Sequence, residues 1–222
     1  LPFFPWFSGA VLRVVFGCVA RVRTEGLENI PESGPVLVII NHASNADGML
    51  MIAYVIPRFG RTFSWPGKAE ALRWPIVGFF MTANGVFGVK RGAGDLESFK
   101  MSRQVLDEGR VLAIFPEGTR SPTGAMQEAK EGATVLAARS GSPILPIAIS
   151  GSHRFWPRGS LPRPFRRMRI RIGRPFTLTM PHTGDRREDL RLATVELMRH
   201  VAELLPPDQR GVYGEEVSQR SE

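Results

Sequence analysis

The sequence predicts an α/β fold, a mostly parallel central sheet flanked by helices. Three observations predict it. Short, continuous apolar runs at 36–40 and 111–115, with a third at 144–149, have the length and pattern of strands buried on both faces. Stretches of helical character separate these runs, so strand and helix alternate along the chain. A length of 222 residues, 43% of them hydrophobic, suffices for one globular core.

Residues 1–22 are rich in Phe, Trp, Val and Leu. Arg13 and Arg21 nevertheless bracket only seven residues, far fewer than the roughly 20 needed to span hydrocarbon. Phe3, Phe4, Trp6 and Phe7, followed by an arginine-punctuated apolar helix, predict an amphipathic segment lying in a bilayer interface. The alternative is a first helix packed on the core.

After the turn Ile30-Pro31-Glu32-Ser33-Gly34-Pro35 comes the buried strand Val36-Leu37-Val38-Ile39-Ile40. A helix is predicted over 49–56, a strand over 61–65, a very apolar helix or helix pair over 69–81 and a strand over 86–89. There follow an acid-led helix over 95–108, a buried strand over 111–115, a helix over 125–139 closed by Gly141, and a strand over 144–149 broken by Pro146. Residues 166–172 alternate Arg with Met or Ile, the period of a strand with one apolar and one basic face near a sheet edge. A last amphipathic helix covers 186–205, and the tail after Pro206-Pro207 is polar and expected to fray. The expected units are thus an interfacial helix over 1–24, a single domain over 25–205 and a polar tail over 206–222.

The net charge of +8 is concentrated. Between 151 and 180 stand eight arginines (Arg154, Arg158, Arg163, Arg166, Arg167, Arg169, Arg171, Arg174) and no acid, while the remainder balances at 21 basic against 21 acidic residues. Three readings fit this segment: anionic lipid headgroups, the phosphates of a coenzyme or an acidic carrier protein, or a solvated edge protected by charge. No aromatic-basic recognition module accompanies the arginines, so nucleic acid is not an expected partner. The single Cys18 excludes an intramolecular disulfide and suits a reducing compartment, and four histidines with one cysteine give no cluster of metal-ligand spacing.

The candidate chemistry begins in Asn41-His42-Ala43-Ser44-Asn45-Ala46-Asp47, directly after the buried strand at 36–40. On one regular helix His42 and Asp47 would lie about 140° apart, so His42 must precede the helix. Ser44 or Asn45 is a suitable N-cap, which puts Asp47 in the first turn, free to fold back toward the imidazole. A carboxylate there holds one ring nitrogen as donor and leaves the other to take a proton from an alcohol. The pair alone equally suits a strand-end histidine beside a helix-dipole carboxylate. Phe115-Pro116-Glu117-Gly118-Thr119-Arg120-Ser121 also follows a buried strand, which aims it at the same sheet end as His42. Arg120 offers a fork of donors for phosphate, Gly118 close backbone approach, and Thr119 and Ser121 hydroxyls; Glu117 is expected to orient an arginine or a substrate hydroxyl. Gly85-Val86-Phe87-Gly88-Val89-Lys90-Arg91-Gly92 ends a strand in two cations that could form a second anion wall.

Taken together and in this order, these segments resemble the glycerolipid acyltransferase family, whose best-known members are 1-acyl-glycerol-3-phosphate acyltransferases. His42 and Asp47 match its His-x4-Asp motif, 85–91 its second block, 115–121 its Glu-Gly-Thr-Arg block and Ile144-Leu145-Pro146-Ile147 its fourth. Gly26-Leu27-Glu28-Asn29-Ile30-Pro31 and Lys130-Glu131-Gly132-Ala133 extend the likeness over 26–173.

The resemblance implies direct transfer of an acyl group from acyl-CoA or acyl carrier protein, with His42 as general base and Asp47 orienting it, and no metal or cofactor. It implies that Arg91, Lys90, Glu117, Gly118, Thr119 and Arg120 hold a phosphate-bearing acceptor. The expected product is phosphatidic acid, made by acylating the sn-2 hydroxyl of 1-acyl-glycerol-3-phosphate on the cytoplasmic face of a membrane, where the protein sits peripherally or monotopically. The motifs equally admit another lysophospholipid, an ornithine-type lipid or a glycolipid as acceptor. A non-catalytic binder of anionic lipid would use the basic segment and aromatic N-terminus without the His42/Asp47 pair. Lys90 and Ala129 depart from the family's usual residues, and oligomeric state is not legible.

Overall fold

The computed structural model describes residues 3–89 and 95–215. Its helices and strands run α1 Phe3–Val19, β1 Ala20–Glu25, β2 Val36–Ile40, α2 Ala46–Leu50, α3 Ile56–Phe59, β3 Phe63–Lys68, α4 Ala69–Leu72, α5 Pro75–Ala83 and β4 Val86–Val89. Then come α6 Asp95–Asp107, β5 Val111–Ile114, α7 Gly132–Ser140, β6 Ile144–Ser150, α8 Ser152–Phe155, β7 Arg166–Ile172 and α9 Arg186–Glu203.

The strands form one seven-stranded sheet in the order β1-β7-β6-β2-β5-β3-β4, parallel throughout except where β7 runs against β6. The carboxyl ends of β2 to β6 therefore share one sheet end, and β7 and β1 begin there.

The central strand β2 is buried along its whole length, and its alternation assigns the two layers. Val36, Val38 and Ile40 pack with Phe16 of α1, Leu50 of α2, Ile56 of α3 and Phe155 of α8. Leu37 and Ile39 pack with Leu106 of α6, Leu136 of α7 and Leu197 of α9. Both faces are thus covered, as a parallel sheet requires.

Several expectations need correction. The predicted helix over 49–56 starts earlier, at Ala46, and runs through a π-helical turn, Met51–Val55, into α3. The helix expected over 1–24 ends at Val19, and 20–25 form the edge strand β1, whose alternation of Arg with Val and Thr was already a strand signal. Only the second half of the predicted helix over 125–139 forms, because the amides before it are committed elsewhere. Met126 donates to the Gln209 carbonyl, Gln127 to Glu117, Ala129 to the Tyr213 hydroxyl and Lys130 to the Pro116 carbonyl. Gly141 closes the remaining helix in the left-handed conformation.

Pro146 does not break β6. Its carbonyl, which points the way its missing amide would, accepts from Gly173 just past the last β6–β7 pair, so the ladder loses little. The segment after Pro206 is not frayed through Tyr213. It forms two short 3-10 turns, Pro207–Gln209 and Gly211–Tyr213, that bury Gln209 and Tyr213. The apolar stretch over 69–81 is a helix pair, α4 and α5, and α5 is not core: among its residues Gly78 alone is buried, while Ile76 is 85% exposed.

Candidate active site

Three chain crossings build the site at the shared sheet end. The first leaves β2. Asn41 continues the β2–β6 contact by side chain, its Nδ2 donating to the Ile149 carbonyl at 3.0 Å and its Oδ1 accepting the Ile149 N–H at 2.8 Å. Each such bond is worth about 1 kcal/mol net, and the pair fixes the strand end from which His42 projects.

Asp47 lies in the first turn of α2, fully buried, and its Oδ2 is 2.9 Å from His42 Nδ1. The same oxygen accepts the backbone N–H groups of Ala43 and Ser44, each at 2.8 Å. One carboxylate oxygen thereby closes the loop between histidine and helix and points the imidazole. Capping falls to Ser44, whose hydroxyl accepts the Ala46 N–H at 3.1 Å and donates to the Trp156 carbonyl. The Asn45 side chain makes no cap bond. It accepts from the Arg120 guanidinium instead.

The second crossing leaves β5. Phe115 stacks on the His42 ring, centroids 4.1 Å apart at 23°, and Trp65 lies beyond it at 6.4 Å. The imidazole is thus held at Nδ1 and across one face, while Nε2 makes no bond among the described residues. Glu117 is buried, its Oε1 accepting the His42 backbone N–H at 2.8 Å and its Oε2 the Gln127 N–H at 2.9 Å. Burial pushes its pKa above the ordinary carboxylate value, opposed by those two amides. The Ser121 N–H returns to the His42 carbonyl at 2.8 Å.

Glu117 was expected to orient an arginine or a substrate hydroxyl. With both oxygens on backbone amides it braces the two loops instead. Gly118, with φ of +67°, and Thr119 are exposed at the rim, and a Cβ on Gly118 would meet the Lys130 side chain at 3.2 Å.

Lys90 and Arg91 lie outside the described residues, so the second anion wall has no geometry here. The third crossing, at the end of β3, places Lys68, exposed, at the same sheet end. Sequence reading missed it, and a lone lysine after Gly67 carried no signal. It also missed Phe115 as a ring shelf and His153, whose ring packs so closely on Gly124 that a Cβ there would lie 2.4 Å from its Cγ. Burial, helped by Arg154, lowers the His153 pKa.

The family profile described as Acyltransferase matches residues 21–150, more than half of the chain and the span that carries all three crossings. The chain belongs to the Acyltransferase family. Among curated relatives, this acyltransferase-family chain is 33% identical over 143 residues to the 1-acyl-sn-glycerol-3-phosphate acyltransferase LPAT1, chloroplastic, of Arabidopsis thaliana, covering 63% of this chain and 39% of that protein. It is 33% identical over 155 residues to the 1-acyl-sn-glycerol-3-phosphate acyltransferase of Pseudomonas aeruginosa, covering 68% and 57%. The chain therefore spans roughly two fifths to somewhat over half the length of these relatives. Among solved structures, the 1-acyl-sn-glycerophosphate (LPA) acyltransferase PlsC of Thermotoga maritima superposes with a TM-score of 0.70 at 25% identity, over 90% of this chain and 79% of that one. That likeness extends the agreement in fold beyond the matched span of the family profile.

Proposed function

We propose that this chain transfers a fatty acyl group from acyl-CoA or acyl carrier protein to the sn-2 hydroxyl of 1-acyl-glycerol-3-phosphate, giving phosphatidic acid. The observation that carries the proposal is the His42/Asp47 pair, with Nδ1 held at 2.9 Å by a buried carboxylate and Nε2 left without a bond among the described residues. The names of the relatives support the choice of acceptor.

In the proposed step Nε2 of His42 takes the hydroxyl proton of the acceptor as its oxygen attacks the thioester carbonyl carbon. The carbon–sulfur bond then breaks, and the departing thiolate takes the proton from the imidazolium, so base and acid roles close on the same nitrogen. Asp47 stabilises the transient positive ring. No acyl-enzyme forms. Arg120, bonded to Asn45 at the rim, is proposed to bind the acceptor phosphate with Gly118 and Thr119, and the same role is proposed for Lys90 and Arg91.

The membrane is the proposed source of the acceptor. No helix among the described residues is long and apolar enough to cross a bilayer. The outer face of α1 exposes Phe3, Trp6, Phe7, Val11, Val14 and Val15, and Trp74, just before α5, is exposed with Ile76 and Phe79 of α5. Phe4 joins the two helices by edge contact with Phe79, centroids 5.1 Å apart, and Ser8 bonds Asn84 at 2.9 Å. These side chains make one apolar surface suited to shallow insertion in a single leaflet, with the reducing cytoplasmic face proposed as its side.

The test is thioester consumption against a panel of acceptors, alongside vesicle binding. His42→Ala should abolish transfer while vesicle binding survives, and retained transfer would sink the mechanism. Turnover with another lysophospholipid or a glycolipid, but none with lysophosphatidic acid, would replace the acceptor and leave the chemistry.

A further inference from the structure

The acyl-transfer site uses little of the basic segment, which has a geometry of its own. Residues 161–167, Leu-Pro-Arg-Pro-Phe-Arg-Arg, are exposed without interruption, and Leu161 and Phe165 are 84% and 80% exposed. This loop is tied down at two points. The Arg163 N–H donates to the Phe155 carbonyl and the Phe165 N–H to the Val19 carbonyl, both at 2.6 Å. Phe165 has φ of +61°, a left-handed conformation costly for an aromatic residue, so its ring is held outward at the end of α1 at some expense in stability.

Beside it, β1 and β7 set arginines against each other. Arg21 faces Arg167 and Arg23 faces Arg169 across strands about 4.8 Å apart, and like charges so placed destabilise a sheet. The next pair in the row, Glu25 and Arg171, is a bonded ion pair at 3.0 Å. No such partner serves the other four guanidinium groups among the described residues. Gly17, Cys18, Ala20, Arg21, Phe165 and Arg167 line a cleft of about 320 Å³ where α1 passes into β1. The cleft lies at the sheet end that carries His42, three strands away.

We propose that this cleft binds the phosphate of an anionic phospholipid headgroup at a bilayer surface, with Arg21 and Arg167 on the phosphate and Leu161 and Phe165 inserted beside it. Arg23 and Arg169 extend the contact to neighbouring headgroups. The exposed apolar side chains decide for lipid over an acidic carrier protein or coenzyme phosphates, because those would satisfy the arginines and leave Leu161 and Phe165 in water. The inference rests on the membrane reading above and adds a headgroup preference that the apolar face of α1 and α5 does not supply.

The experiment is co-sedimentation of the full chain with vesicles of phosphatidylcholine, alone or with a third of the lipid as phosphatidylglycerol. Wild type should favour the anionic vesicles. Arg21→Gln/Arg167→Gln should lose about fivefold in anionic partitioning per arginine, roughly twenty-five-fold in all, with binding to neutral vesicles unchanged. A double variant that keeps the full anionic preference overturns the proposal. So does unchanged vesicle binding with a raised KM for the thioester, which assigns the arginines to the donor. Wild type that binds neutral vesicles and gains nothing from phosphatidylglycerol overturns the headgroup site alone; binding to neither vesicle overturns the membrane reading with it. A second readout needs no variant. Cys18, the single cysteine, is exposed and lines the cleft, so a water-soluble maleimide should label it more slowly on anionic vesicles and at an unchanged rate in inorganic phosphate. Equal labelling on anionic and neutral vesicles overturns the proposal.

Discussion

Glu117 holds His42 by the backbone rather than by the ring: its Oε1 accepts the His42 N–H at 2.8 Å while its Oε2 accepts the Gln127 N–H at 2.9 Å. The buried carboxylate thus ties the loop after β2 to the one after β5 and to the extended segment before α7. Glu117→Gln keeps the shape but presents an amide donor to one of two backbone donors, leaving it unsatisfied at about 1–3 kcal/mol. A lowered Tm and a lowered kcat should appear together.

The same residue makes a pH signature. Burial raises the folded-state pKa of Glu117, so between the unfolded and folded values the native state holds more protons than the unfolded chain. Its contribution to stability is fully present below the unfolded value and is lost as pH rises through the folded one. Denaturant unfolding of wild type and Glu117→Gln across that range should converge as pH rises. Parallel curves would show that its proton is not linked to folding.

Asp47→Asn separates charge from folding. Its side-chain carbonyl, in the place of Oδ2, still accepts the Ala43 and Ser44 amides and Nδ1–H, but the negative charge that stabilises the ring once Nε2 takes a proton is gone. A kcat loss of roughly 10²–10⁴-fold with a small change in Tm is expected. A comparable loss of stability would mean the carboxylate acts chiefly on the loop.

Tyr213 tests whether the chain beyond α9 supports the site. Its hydroxyl accepts the Ala129 N–H at 2.9 Å, one residue before Lys130, whose own amide donates to the Pro116 carbonyl. Tyr213→Phe should cost about 1–3 kcal/mol and raise amide exchange over 126–130. Exchange confined to the C-terminal turns would sever that link.

The outer face of α5 is open to a partitioning experiment. Ile76, 85% exposed, contributes nothing to the core. Ile76→Ser should leave Tm unchanged and weaken binding to neutral vesicles by about tenfold, the order expected for withholding one large apolar side chain from hydrocarbon. Unaltered binding would remove α5 from the membrane surface.

The sequence by itself determined the strand-and-helix rhythm, because a strand buried on both faces must be apolar throughout, as 36–40 is. It also determined that His42 precedes a helix carrying Asp47, since five residues on one helix would part them. Tertiary structure decided whatever depended on where backbone amides find acceptors. The segment over 125–131 has helical composition, yet Glu117, Pro116, Gln209 and Tyr213, remote in sequence, take its amides and hold it extended. Likewise α5 is very apolar in sequence, but burial depends on what covers a helix, and nothing among the described residues covers Ile76. The pairing of Arg21 with Arg167 belongs to the same class. Each strand's charge pattern is local, whereas their register is a contact across 146 positions that only the folded sheet creates.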